Sequence, residues 1–221
     1  MAASVLGIDW YKAGWVAAAL RDGVEPNVMV STDLAELIAR APDTACVAVD
    51  MPIGLPETER ECDREAKRFI GPRHNSVFMT PPAAVLEAPT YEEANRLAPE
   101  LIGKRISRQA YALRANIATV NALAAADPRI IEVHPEASFR ALTGGPVAWP
   151  KSSWNGQAVR RSALGRAGIV VPELLEEAGA VPVADVLDAL AAAWSARRYV
   201  SGHAESLPAA ARRGARQVIW Y

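Results

Sequence analysis

Apolar residues come first in short blocks separated by turns, and later in sets with helical spacing. A block at 5–10 is followed by Tyr11-Lys12-Ala13 and then a second block at 14–20. Arg21-Asp22-Gly23 turns the chain towards a third at 26–31. Three short strands joined by tight turns predict an antiparallel meander. Thr32 or Asp33 is placed to cap a helix whose apolar set is Leu34, Leu37 and Ile38. Residues 44–50 are almost wholly apolar, the pattern of a strand covered on both faces and parallel to its neighbour. The opening order is therefore β-β-β-α-β.

Met51-Pro52-Ile53-Gly54-Leu55-Pro56 interrupts the pattern, because two prolines and a glycine dictate a stiff, extended loop. Charged residues at helical spacing follow at 57–69, and 71–89 is Pro-rich with no clear period. A long irregular stretch inside a compact domain is commonly functional or disordered. Ile106, Ala110, Leu113, Ile117, Val120 and Ala124 step by four and three, predicting one amphipathic helix that ends at Asp127-Pro128. A strand at 130–134, helices at 155–167, 173–178 and 182–200, and an edge strand at 217–220 complete the reading. Repeats and composition breaks are lacking, so the chain reads as one α/β domain over 1–221. Its mixed sheet combines the antiparallel meander with parallel strands and is flanked by helices, with a loop and helical elaboration at about 51–127.

Composition narrows the function classes. No run approaches the roughly 18 apolar residues of a membrane span, and the start lacks a basic segment leading into an apolar one, so a cytoplasmic protein without a membrane partner is expected. Cys46 sits in a strand pattern and Cys62 in a charged helical one, which predicts free thiols rather than a disulfide or a metal cluster. The net charge of −1 argues against tight nonspecific duplex binding, which depends on phosphate neutralisation. Cations nonetheless concentrate at 189–221, where five arginines face Glu205 alone, and at Lys104, Arg105, Arg108 and Arg114.

Three acids stand out against this background. Asp9 ends the first apolar block, Asp50 ends the apolar block at 44–50, and Asp188 lies inside an apolar helical pattern one turn after Asp185. Ionised carboxylates near an apolar core are costly unless paired, hydrogen-bonded or bound to metal. A divalent-metal site explains all of them together, whereas an Asp at an element end also serves as an ordinary cap. Glu136, which follows Glu132-Val133-His134-Pro135, is a further ligand candidate or a helix-start acid.

The motifs Gly7-Ile8-Asp9 with Gly14-Trp15-Val16, Val49-Asp50-Met51-Pro52-Ile53-Gly54-Leu55-Pro56, Arg60-Glu61-Cys62-Asp63-Arg64-Glu65-Ala66, Ser76-Val77-Phe78, Glu132-Val133-His134-Pro135-Glu136 and Asp185-Val186-Leu187-Asp188-Ala189 occur in order along the chain. Together they resemble the bacterial and archaeal family described as predicted RNase H-like nucleases. Asp188-Ala189-Leu190-Ala191 is also similar to the late metal-binding helix of Holliday-junction resolvases. The resemblance implies an RNase H-like sheet in which strands one and four are neighbours, so that Asp9 and Asp50 meet and the late helix brings Asp188 beside them.

On this reading Asp9, Asp50 and Asp188 ligate Mg²⁺ or Mn²⁺, with Asp185 and Glu136 as auxiliary catalytic acids. The reaction is metal-dependent hydrolysis of a phosphodiester in nucleic acid or a small molecule. Arg60, Asp63, Arg73, Ser76, His134 and Lys151 are the candidate substrate contacts, and the tryptophans of 149–154 are candidate base-stacking groups. A rival reading keeps the fold without catalysis and uses the cleft to bind a nucleotide, nucleic acid or partner. An actin-like ATPase or kinase fits less well, since Trp10-Tyr11-Lys12 after Asp9 would obstruct a phosphate loop. The apolar Val218-Ile219-Trp220 end suggests a strand that pairs across a homodimer.

Overall fold

Alternation decides which side chains of the first strands face which layer. In the computed structural model, which describes residues 4–221, β1 (Ser4–Tyr11), β2 (Gly14–Arg21) and β3 (Val24–Ser31) form the expected antiparallel meander. Asp33 caps α1 (Leu34–Ala39) by accepting from the Ala35 and Glu36 amides. The chain then returns as β4 (Thr44–Val49), parallel to β1, with Ile8 opposite Val49. Between β4 and the next strand lie α2 (Glu61–Ile70), a 3₁₀ turn at Gly71–Ser76, α3 (Ala83–Glu87), α4 (Tyr91–Ile102), α5 (Arg108–Ala112) and α6 (Arg114–Ala126). β5 (Ile130–Glu132) pairs parallel with β4, giving a five-stranded mixed sheet of order β3-β2-β1-β4-β5. Then come α7 (Pro135–Thr143), α8 (Trp154–Arg166), α9 (Val183–Ser201) and a small antiparallel pair, β6 (Ser206–Leu207) with β7 (Ile219–Trp220).

Helices cover both faces of the sheet. Leu6, Ile8, Val47 and Val49 join α1 and α6 in one core, while Val5, Val16, Ala18 and Ala48 join α7, α8 and α9 in the other. α9 is buried along most of its length, and its alanines let it lie unusually close to β1. A Cβ on Gly7 would stand 2.0 Å from the Ala193 amide nitrogen and 2.3 Å from the Ala189 carbonyl oxygen. Gly7 therefore carries no side chain because the backbone of α9 occupies that space.

Several expectations need correction. The helix predicted across 106–124 breaks at Leu113, because its two halves bury into different cores. Ile106 and Tyr111 are buried on the α3–α4 side, where Tyr111 donates to the Ala88 carbonyl, whereas Ile117, Val120 and Ala124 pack under the sheet. No helix forms at 173–178: between Pro172 and Gly179 the segment turns instead and buries Ala178. α4 is an addition, announced by a capping box in which the Glu93 amide donates to Thr90 Oγ1 and the Thr90 hydroxyl to Glu93. Val218, Ile219 and Trp220 are buried within the chain, where β7 pairs with β6 and Trp220 bridges Val133. They offer no free apolar edge of the kind the dimer expectation required.

Replacing Gly7 with Ala is expected to cost about 3 kcal/mol or more, since the obstacle is backbone rather than a side chain that can turn away. Gly165→Ala, in open space on α8, is expected to gain up to about 1 kcal/mol by restricting the unfolded chain. Denaturant titration of the two variants measures both.

Candidate metal centre

The close approach of α9 to β1 sets the acids. Gly7 and Asp9 lie on the same face of β1, two residues apart, as do Ala48 and Asp50 along β4 and its continuation. The Asp50 amide donates to the Ile8 carbonyl at 3.0 Å, so Asp50 emerges beside Asp9 one step beyond the paired strands. α9 passes from Asp188 near Asp9 to Ala193 over Gly7. Asp9, Asp185 and Asp188 each contribute a carboxylate oxygen to a group whose atoms lie within 4.8 Å of one another. Asp9 is 5% exposed and Asp188 3%, while Asp185 and Asp50 are half-buried.

Hydrogen bonding leaves this cluster short of donors. Asp9 Oδ1 accepts the Trp10 amide at 2.8 Å, and Lys151 Nζ lies 2.6 Å from Asp188 Oδ2 and 3.6 Å from Asp185 Oδ1. Asp188 Oδ1 is fully buried and has no hydrogen-bond partner among the described residues. Burial pushes the Asp9 carboxyl well above its ordinary value, and neighbouring Asp50 and Asp188 push it further while Lys151 opposes them. Burial also raises Asp50, against His134 and Lys151. It raises Asp188 to about 6 in spite of Lys151. Lys151 is itself raised, since attraction to Asp188, Asp9 and Asp50 outweighs the opposing effect of burial. Four carboxylates against one ammonium leave excess negative charge in a poorly solvated site. An all-oxygen donor set with a buried, unpartnered oxygen fits a divalent cation.

Asp9 and Asp50 open onto a cleft of about 230 Å³, whose other walls include Trp10, Ser76, Phe78, Gln109, His134 and Lys151. Ser76, His134 and Lys151 line this cleft, with Lys151 also bonded to Asp188. His134 Nδ1 accepts the Glu136 amide at 3.2 Å, which leaves its proton on Nε2, 3.4 Å from the Ser76 carbonyl.

Other predicted site residues lie elsewhere or are otherwise engaged. Arg60 is fully buried and cannot meet a substrate: it bonds Glu132 Oε2 at 2.5 Å and lies 3.5 Å from Asp63 Oδ1. Asp63 reaches the cleft wall, but its Oδ2 accepts the Thr80 amide at 2.7 Å. Glu136 is outside the carboxylate cluster. Both its oxygens go to buried Arg160, at 2.9 and 2.7 Å, and Arg73 lies 3.6 Å away. Arg73 also donates to the Val147 and Ala148 carbonyls and does not line the cleft.

Three supporting residues were missing from the sequence-based set. Glu132 accepts the Ile53 amide at 2.7 Å, and Asn121 bonds both the Gly54 amide and the Pro52 carbonyl, at 2.8 Å each. Gly54 sits at φ +83°, where a side chain would be strained. These contacts lock the Pro-rich loop that follows Asp50. Arg160 was missed as well, because its partner Glu136 lies 24 residues away, outside any local pattern. Both cysteines are buried free thiols, each pushed up to about 12 by burial.

Fold and site define an α/β protein with a five-stranded mixed sheet and a buried carboxylate cluster suited to a divalent cation. The chain belongs to the family described as protein of unknown function DUF429, whose family model matches residues 7–213. No curated protein and no solved structure matches it. Among the described residues, no helix is long and apolar enough to cross a membrane.

The raised Asp188 carboxyl makes stability depend on pH. Between about pH 4 and 6 the folded state holds a proton that the unfolded state has released, so without divalent cation stability falls as pH rises through this window. Asp188→Asn is expected to flatten the fall and to raise stability at pH 8 by on the order of 1–3 kcal/mol, read from urea unfolding at each pH. Arg60→Met is expected to act oppositely, costing about 3–5 kcal/mol because Glu132 and Asp63 lose their buried cation. The same unfolding series tests it.

Proposed function

We propose that this protein is a divalent-metal-dependent nuclease with an RNase H-like fold, hydrolysing a phosphodiester at the Asp9–Asp188 cluster, with the helices of 51–127 as an elaboration of one domain. The observation that carries this reading is the convergence of Asp9, Asp185 and Asp188 within 4.8 Å, together with a buried Asp188 oxygen that has no donor among the described residues. The parallel pairing of β1 with β4, which sets Asp50 beside Asp9, supports the fold assignment. Mg²⁺ or Mn²⁺ is the cofactor that suits oxygen ligands of this kind.

Asp9, Asp185 and Asp188 would hold the ion, with Asp50 flanking them. When bound, it would supply an activated water and stabilise charge on the leaving oxygen. Asp188 orients the Lys151 ammonium, which stands at the cleft wall where it would offset charge on a phosphate oxygen. His134 Nε2–H faces the same cleft and is the proton donor best placed for the leaving oxygen. Ser76 and Phe78 shape the opposite wall, and the apolar surface of Phe78 and Trp10 suits a base.

One observation favours the non-catalytic alternative: Lys151, at 2.6 Å from Asp188, already supplies a cation to the cluster. Calorimetric titration of Mn²⁺ into wild type and Asp9→Asn separates the two. Binding with proton release is expected in wild type, since ions displace protons from the raised carboxyls, and affinity should fall at least about tenfold in the variant. Cleavage of nucleic acid should drop below detection in Asp9→Asn with the circular dichroism spectrum unchanged. Equal metal binding in both proteins, or none in either, would overturn the nuclease reading in favour of a binding protein.

A further inference from the structure

The Lys151 turn carries two side chains that the carboxylate site leaves unused. Trp149 is 48% exposed and Trp154 85%, so neither indole fills the core. The backbone beneath them is fixed. The Ser153 amide and hydroxyl both donate to the Pro150 carbonyl, at 3.0 and 2.8 Å, and the Gly156 amide donates to Ser153 Oγ at 3.1 Å. Buried Arg160 holds the Trp149 carbonyl at 3.2 Å. A Cβ on Gly156 would stand 1.8 Å from the Pro150 oxygen, so the turn closes directly onto α8. Two large aromatic rings are thus presented to solvent from a rigid support, an arrangement associated with recognition surfaces.

Charge shows what such a surface would recognise. From 137 to 172 the chain contains no Asp or Glu, yet holds Arg140, Lys151, Arg160, Arg161 and Arg166, in a protein of net charge −1. Arg160 is taken up by Glu136, whereas Arg161 is exposed and makes no ion pair among the described residues. Arg161 follows Trp154 by seven residues, two turns along the same stripe of α8. Trp149 and Trp154 are two and three residues from Lys151, which keeps their Cα atoms within about 11 Å of its own. The two exposed indoles thus flank Lys151, which lines the carboxylate cleft, and Arg161 lies two turns further along the exposed stripe of α8.

We propose that the 149–154 turn and the exposed stripe of α8 form a rail for single-stranded nucleic acid. Trp149 and Trp154 stack bases, Arg161 takes a phosphate, and the strand enters the cleft past Lys151. Its direction towards the cleft rests on the nuclease reading; binding on the rail does not. Unpaired bases are required because paired ones offer no free face to an indole, and stacking tolerates any base sequence. Phosphates supply the negative charge that this acid-free segment lacks.

The test is fluorescence anisotropy of a labelled oligothymidine and of a duplex of equal length, in EDTA at low salt, so that no turnover occurs. Wild type should bind the single strand at least about tenfold more tightly than the duplex. Trp154→Ala, and likewise Trp149→Ala, should weaken single-strand binding about tenfold. Arg161→Ala should weaken it and reduce the salt dependence by about 0.7 in logarithmic slope, the contribution of one phosphate. Val24→Ala, an exposed apolar residue on β3, should change nothing. Thermal melts show that the variants fold, which the exposure of the replaced side chains favours. Failure of the oligothymidine to bind, equal binding of the duplex, or indifference to both tryptophan changes would each overturn the rail. Adding Mn²⁺ separates it from the nuclease reading: binding that depends on the tryptophans but is never followed by cleavage refutes the nuclease alone. Cleavage that ignores both tryptophans refutes the rail alone.

Discussion

The backbone of α9 lies against β1 at the one position where β1 has no side chain. A methyl group on Gly7 would fall 2.0 Å from the Ala193 nitrogen, nearer than any atoms can pack. This contact fixes the height and rotation of a helix that is buried over most of its length. It consequently determines where Asp185 and Asp188 project. Asp9, two residues beyond Gly7 on the same face, meets them within 4.8 Å. Close-packed interiors transmit small displacements rather than absorbing them, so a helix lifted from β1 would separate the acids as well.

The chain treats its buried acids in two distinct ways. Glu132 is matched by Arg60 and an amide, and Glu136 by a two-pronged bond from Arg160; both arginines are completely buried. Such pairs hold the Pro-rich loop and α8 in place, although burial still raises Glu132 to about 7 and Arg160 Nε has no partner among the described residues. Asp9, Asp50, Asp185 and Asp188 receive one lysine between them, and one oxygen of Asp188 receives nothing. A protein able to bury arginine beside glutamate elsewhere leaves this cluster under-compensated. The excess of acids over cations, rather than the mere presence of acids, is what makes the cluster a candidate for holding a divalent cation.

Much of this was legible in the residues. The meander, the parallel return of β4 and the late helix follow from the spacing of apolar positions, and Asp9, Asp50 and Asp188 stood out as acids in apolar surroundings. The structure instead groups Asp9 and Asp188 with Asp185, which the spacing had made auxiliary, and leaves Asp50 beside them. The failures have physical causes. Spacing across 106–124 looks like one helix because both halves keep the period, although Tyr111 and Ile117 bury into separate cores. Arg60 and Glu136 read as available charges because pairing partners 72 and 24 residues away are invisible to local pattern. The signal for α4 was present at Thr90 and Glu93 as a capping box. Lys151 was assigned to phosphate from its position beside tryptophans, and its bond to Asp188 depends on a tertiary approach that only the fold supplies.

Lys151 joins the two halves of the functional argument. Its ammonium stabilises Asp188 in the charged form while its own charge is reinforced by the same carboxylates, so neither group is free to act without the other. A divalent cation among the acids would compete with Lys151 for Asp188 and weaken that hold. The ammonium would then be available to an anion at the cleft wall, close to the rigid turn that presents Trp149 and Trp154. Cation binding and phosphate recognition would be coupled in this geometry, because one side chain would serve both. Such coupling is reciprocal: a phosphate that draws Lys151 away from Asp188 strengthens the cluster's attraction for a cation by the same factor.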